Sequence, residues 1–152
     1  MIQPCHPSRQ PGTGGPRAIG YWRIPLRDER VQELEAIIAG GGTAVIGRIR
    51  VTTSLRGAIR ALEEMKREAD LPDPEDFVDL AWDVEERNEV AARLREVPRC
   101  ESWLGFSTCR FCGQQNGTTC LSNGTFVWPE GFAHYVEAHA VRPPGEFVRH
   151  LL

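Results

Sequence analysis

Apolar residues recur at three- and four-residue intervals between Arg27 and Ala39, where Val31, Leu34, Ile37 and Ile38 make one stripe. That spacing predicts a helix, and Gly40-Gly41-Gly42 stops it. From Thr43 to Thr52 the period falls to two. Val45, Gly47, Ile49 and Val51 share one face, and Ile46, Arg48 and Arg50 the other, so a half-buried strand is expected. The helical period returns with Leu55, Ala58, Ile59, Leu62 and Met65, and Ser54 is placed to cap that first turn. Arg56, Arg60, Glu63, Glu64 and Arg67 give this helix a mixed-charge outer face. Upstream, Tyr21 and Trp22 lie in a short Gly20–Pro25 stretch expected to run extended against the core.

Beyond Leu71 the pattern is punctuated by prolines. Asp73 suits an N-cap and Pro74 a first turn, with Phe77, Leu80 and Ala81 expected to pack inward. Asp83 opens a further helix that would bury Val90, Leu94 and Val97. Cys100–Phe106 reads as a strand. Asn123-Gly124 separates Thr118–Ser122 from Thr125–Trp128, which predicts a two-residue hairpin. Pro129 suits the first position of a last helix, with Glu130 in its first turn. The whole reads as an α+β fold, a small single domain with a C-terminal module of knuckle, β-hairpin and helix. Three segments are expected: a disordered tail over 1–18, rich in Pro and Gly; a helical α+β region over 19–98; and the module over 99–152.

That module holds the candidate chemistry. Cys109 and Cys112 form a C-x2-C pair followed by Gly113, and His134 and His139 form an H-x4-H pair. Both spacings suit a structural zinc site, in which a tight turn aims two thiolates at one point and a helix supplies two imidazoles. Twenty-one residues separate Cys112 from His134, more than the usual zinc-finger gap of about 12 to 15. The hairpin accounts for the excess, giving a treble-clef or long ββα order. At about 100° per residue, His134 and His139 point some 140° apart, so the last helical turn must tighten or fray for both to reach one ion. Cys120 offers an alternative to one histidine, giving a Cys3His site. Cys100 reads as a small buried apolar residue, and Cys5-His6 as part of the solvated tail.

Composition and charge narrow the classes of function. The chain has 152 residues, 41% of them hydrophobic and 26% charged, and a net charge of −3 that gives no overall attraction to nucleic acid. No apolar run is long enough to span a membrane, and no apolar leader stands at the N-terminus. Five cysteines without an export signal point to a reducing, cytoplasmic setting. Residues 70–96 carry ten acidic and three basic side chains, the strongest charge asymmetry in the chain, and an acidic surface of this kind suits a basic protein partner. Enzyme motifs are missing. The His134-x-x-Glu137-x-His139 run misses both H-E-x-x-H and H-x-x-E-H by one residue, and there is no phosphate loop or G-x-S-x-G.

Three stretches, Trp103–Phe111, Asn123–Val136 and Val141–Val148, together with Leu71–Pro74 and Gly20-Tyr21-Trp22, resemble a pattern shared by a family of short uncharacterised bacterial proteins. The likeness covers about half the chain and leaves residues 27–69 as an insertion. It implies a bacterial source and no particular mechanism. The leading expectation is a non-enzymatic, bacterial cytoplasmic protein with structural zinc on Cys109, Cys112, His134 and His139. It would act by protein–protein contact, as an adaptor, regulator or immunity-type partner. The alternative is a nucleic-acid-binding zinc finger in which Arg48, Arg50, Arg99 and Arg110 converge; a zinc hydrolase ranks third.

Overall fold

A computed structural model describes residues 16–102 and 106–152, which form a mixed α+β architecture. In chain order the elements are β1 (Arg17–Ala18), α1 (Asp28–Ala39), β2 (Thr43–Ile46), β3 (Ile49–Thr52), α2 (Leu55–Ala69), a 3₁₀ turn (Pro74–Phe77) and α3 (Val84–Arg95). After these come β4 (Arg99–Ser102), β5 (Thr119–Ser122), β6 (Phe126–Pro129), α4 (Phe132–His139) and α5 (Gly145–Leu151). They gather into two compact units, one of residues 22–71 and the other of residues up to 21 together with 72–152. Most of the expected N-terminal tail, residues 1–15, lies outside the described residues. Its end does not behave as tail, because Arg17 and Ala18 pair in parallel with Phe126 and Val127.

The smaller unit encloses residues 27–69. Leu34 and Ile37 of α1 meet Ala58 and Leu62 of α2, with Ala44 and Val51 closing the cluster from the strands. The expected single strand over 43–52 is a hairpin. Gly47 takes φ +61° at the first position of a two-residue turn, as type II′ turns require, and Thr43 pairs with Thr52 and Ala44 with Val51. Folding the segment back on itself reassigns its faces. Ala44 and Val51 turn inward, whereas Val45 and Ile49 are 67% and 69% exposed. Ser54 caps α2 as expected, accepting from the Gly57 amide. Leu55 and Ile59, placed in the buried stripe by their spacing, are exposed at 41% and 39%, because the cluster gathers on Ala58, Ala61, Leu62 and Met65.

In the larger unit a four-stranded sheet runs β1-β6-β5-β4. The β5–β6 hairpin forms, but its turn centres on Gly124-Thr125 rather than Asn123-Gly124. The Asn123 amide donates to the Phe126 carbonyl, while the Asn123 side chain accepts from the Thr125 and Phe126 amides. That Asx turn moves the partner strand by two residues, so Leu121 faces Trp128, and an even shift keeps every side chain on its face. Phe126 and Trp128 therefore turn to Phe147 of α5, at centroid distances of 5.0 and 5.4 Å, and Phe132 joins them. Trp128 also donates its indole N–H to the Leu94 carbonyl of α3. Arg95 of α3 ion-pairs with Glu137 of α4. These contacts place α3 in the same unit as the sheet, so a division at residue 98/99 cuts across a packed core. Val90 and Leu94 are buried as expected and Val97 only partly so.

Asp73 and Asp83 cap their turns as expected, accepting from the Glu75 and Glu86 amides. Between them the expected inward residues differ. Leu80 is 85% exposed and Ala81 is exposed, while Trp82 takes the buried place, its indole donating to Glu86. The segment around Val78 instead serves as a strap. Val78 bridges Val141, the Asp79 amide donates to the Ala140 carbonyl, and the Arg142 amide donates to the Phe77 carbonyl. Arg142 adds an ion pair to Asp79 at 2.7 Å and lies over the Trp82 ring.

The Arg142 guanidinium holds the Asp79 carboxyl below its ordinary value of 3.8, helped by the Ala81 and Trp82 amides. The unfolded chain therefore takes up a proton at this carboxyl first as pH falls. The stabilisation is complete above the ordinary carboxylate range and is lost as pH drops through the lowered value. Melting temperatures of the native chain and Asp79→Asn should differ at neutral pH and converge in strong acid. A difference that persists unchanged at low pH would show that the ion pair is not its source.

Candidate metal centre

The segment from Ser107 to Gly117 folds back on itself. The Ser107 amide donates to the Gly117 carbonyl, the Asn116 amide to the Ser107 carbonyl, and Thr108 bridges Gln115. At its tip the Cys109 amide donates to the Gln114 carbonyl and the Gly113 amide to the Cys109 carbonyl, both at 2.9 Å. Gly113 closes this knuckle at φ +71°, the conformation its lack of a Cβ permits. The result sends the Cys109 sulfur inward and leaves Cys112 exposed.

The helix that faces the knuckle begins later than its sequence signals suggest. Pro129 ends β6 opposite Cys120 instead of opening α4, and Gly131 is the N-cap residue. Glu130 is drawn back to the loop, where it accepts from the Thr118 amide and meets Arg99 at 3.4 Å. Gly131 lies against Asn116 so closely that a Cβ would come within 2.2 Å of the Asn116 carbonyl oxygen and 2.3 Å of its side chain. This approach sets the distance between knuckle and helix.

At the other end the last turn of α4 widens rather than tightening. The Ala140 amide donates to the Tyr135 carbonyl, five residues back, and the Val141 amide donates to the same oxygen. A span of five is a π-type closure, and it takes up the angular excess of the H-x4-H spacing. Ala140, at φ +52°, is the one non-glycine residue in the left-handed region among those described. His134 and His139 consequently face each other with ring centroids 5.0 Å apart and planes at 80°.

Cys109, Cys112, His134 and His139 thus converge, their ligand atoms all within 4.8 Å of one another, close enough to hold a metal ion. The Cys112 sulfur lies 3.3 Å from His134 Nε2. A tetrahedral ion with sulfur at about 2.3 Å and nitrogen at about 2.0–2.1 Å keeps neighbouring ligand atoms about 3.3–3.8 Å apart, so the set needs only small side-chain rotations. The Nε2 atom of His139 is buried without a hydrogen-bond partner, which an ion would supply. Burial, and then the adjacent His134, lower the His139 pKa from its ordinary value. The ring is therefore neutral at physiological pH, the state in which imidazole ligates. Phe111 stacks on it at 4.7 Å.

Cys120 stands elsewhere, beside Cys100 across β4 and β5, which removes it as a substitute ligand. Spacing gave no hint of the part played by Tyr135. Its hydroxyl accepts the Arg110 amide at 2.8 Å, pinning the knuckle to α4. Burial, with the Cys109 sulfur adding to it, pushes this hydroxyl up to about 12 and keeps it protonated. The only signal in the sequence was its place beside the first histidine on a buried helix face. Arg48 and Arg50 belong to the smaller unit and Arg99 and Arg110 to the larger.

No protein-family model, no curated protein and no solved structure matches this chain.

Tyr135→Phe should weaken metal affinity by about tenfold, the usual cost of losing a group that orients a ligand. A chelator competition measures this, and an unchanged affinity would mean that the knuckle holds its place without the hydroxyl. Gly131→Ala should lower unfolding stability by about 1–3 kcal/mol through overpacking against Asn116, as read by urea denaturation.

Proposed function

We propose that the ion is zinc and that it is structural, fastening the knuckle to α4 in a bacterial cytoplasmic protein that works by binding another protein. The convergence of Cys109, Cys112, His134 and His139 carries this reading. Two thiolates and two imidazoles are a donor set that favours zinc, and four protein ligands leave no position for a water or substrate. Two thiolates also lessen the ion's power as a Lewis acid, so the chain is read as no enzyme. Structural zinc contributes on the order of 10–16 kcal/mol, comparable to the whole stability of a small domain at about 5–15 kcal/mol. The ion then decides whether the C-terminal module is ordered.

The partner surface in this reading lies within the acidic segment 70–96. Part of its charge is internal: Asp79 and Glu86 meet Arg142, and Arg93 lies near Glu89 and Glu96. Glu75, Asp76 and Glu85 remain exposed, as do the apolar side chains of Leu80 and Val84 in the same segment. Such a mixed surface suits a basic protein patch with an apolar centre. The protein serves there as an adaptor, regulator or immunity-type partner. For nucleic acid the local arginines offer less support, because Arg99 reaches Glu130 and Arg110 its neighbour's carbonyl at Thr108. No helix among the described residues is long and apolar enough to cross a membrane.

Protein purified without chelator should carry about one equivalent of zinc by elemental analysis, as a four-ligand structural site implies. Chelation and Cys112→Ser should each lower its melting temperature. A Cys112→Ser protein of native stability that lost a hydrolytic activity would replace the structural role with a catalytic one. Duplex DNA should bind only weakly at physiological salt. Micromolar binding whose logarithm falls with log salt at a slope of about −0.9 per phosphate contact would favour the nucleic-acid reading instead.

A further inference from the structure

The two cysteines outside the metal centre form a pair of their own. Strand β4 carries a bulge, so that Arg99 faces Leu121 and Glu101 faces Cys120, with Cys100 as the extra residue between them. This brings the Cys100 sulfur within 2.8 Å of the Cys120 sulfur. Neither cysteine is in a disulfide, and Val127 packs beside them. The separation is well inside the van der Waals contact of two sulfurs and is longer than a disulfide bond of about 2.05 Å. Two thiols held at that distance on paired strands need little backbone movement to join. Their accessibility differs in a useful way: Cys120 is buried at 1% exposure, while Cys100 is partly exposed.

We propose that Cys100 and Cys120 are a site of reversible oxidation, closed to a disulfide by a peroxide-class oxidant. Cys100, the more accessible partner, attacks the peroxide O–O bond as its thiolate. Its sulfur gains one oxygen as a sulfenic acid, and the other oxygen leaves as water after taking up a proton. Cys120 then attacks the Cys100 sulfur, the S–S bond forms, the S–O bond breaks, and the hydroxyl departs with a proton as a second water. Two thiols lose two electrons and hydrogen peroxide gains them; an external dithiol reverses the step by exchange.

The consequence lies in what the new bond would enclose. Cys100 and Cys120 are 20 residues apart, and the segment between them contains Cys109 and Cys112. The disulfide therefore ties together the two ends of the knuckle segment without using either thiolate of the metal centre. A neighbouring pair in contact gives an oxidant a target other than the ligands, because the second thiol resolves the sulfenic acid as it forms. The proposal does not depend on which ion the centre holds.

The test is disulfide mapping on the full chain, with its metal content measured on the same sample. Protein is treated with a small excess of hydrogen peroxide, remaining thiols are alkylated in denaturant, and peptides are compared with and without reduction. Trypsin alone leaves Cys100 with Cys109 and Cys112 with Cys120, so chymotryptic cleavage after Phe106 and fragmentation of the linked peptides are needed to assign the bond. The expected result is a Cys100–Cys120 linkage, reversed by dithiothreitol, with Cys109 and Cys112 recovered as alkylated thiols. Cys100→Ser should abolish the linkage while circular dichroism and metal content stay as in the native chain, which separates lost chemistry from lost folding. Cys100 and Cys120 both recovered as free thiols, or Cys100 joined to another cysteine, would overturn the proposal. Absence of zinc would overturn the reading of the metal centre and leave this outcome independently readable.

Discussion

Tyr135 offers two oxygens, and the geometry of the larger unit depends on both. Its carbonyl accepts the Ala140 and Val141 amides, which widens the end of α4 and turns His139 toward His134. Its hydroxyl accepts the Arg110 amide, which fixes the turn carrying Cys109 and Cys112. One residue therefore positions both halves of the donor set, from opposite ends of its own side chain and backbone. The left-handed conformation at Ala140 costs on the order of 1–2 kcal/mol for a residue with a Cβ. It is held there by the strap beyond it, where Val141 bridges Val78 and Arg142 meets Asp79.

Packing explains why this arrangement is rigid enough to matter. Phe126, Trp128, Phe132 and Phe147 are each almost fully buried, and each contributes roughly 1.5–3 kcal/mol through apolar area removed from water. They anchor α4 through Phe132, which packs on Phe147 of α5. The knuckle has no comparable core. It rests on backbone hydrogen bonds, the Gly131–Asn116 contact and the stacking of Phe111 on His139. A cross-link between knuckle and helix is most effective where one side is well packed and the other is not.

The acidic segment shows how a charge count can mislead. Its ten acids read as one surface in the sequence, yet Asp73 and Asp83 are capping residues and Asp79 closes the strap. Charge that satisfies a helix terminus or an arginine inside the fold is not available to a partner. Fewer acids remain outward, in a segment that also exposes Leu80 and Val84.

The sequence by itself determined whatever depends on neighbours within a few residues. Ser54, Asp73 and Asp83 announced their turns because a cap needs only the next amides. Cys109, Cys112, His134 and His139 were legible as a donor set because the chemistry of thiolate and imidazole, with their spacing, is local information. Tertiary structure decided the rest. The 43–52 segment has the alternation of a strand, and only the pairing of its two halves showed that Gly47 folds it into a hairpin whose first strand turns Ala44 inward in place of Val45. Asn123-Gly124 marks a turn, but the side chain of Asn123 bonding forward moved it by one residue. The H-x4-H spacing contradicts an ideal helix, and its resolution depended on two amides sharing one distant carbonyl. Cys100 and Cys120 carry no spacing signal at all, since pairing them required a bulge in a strand that no local pattern encodes. Hydrogen bonds and contacts between residues far apart in the chain set these features, and a periodicity read along the chain does not contain them.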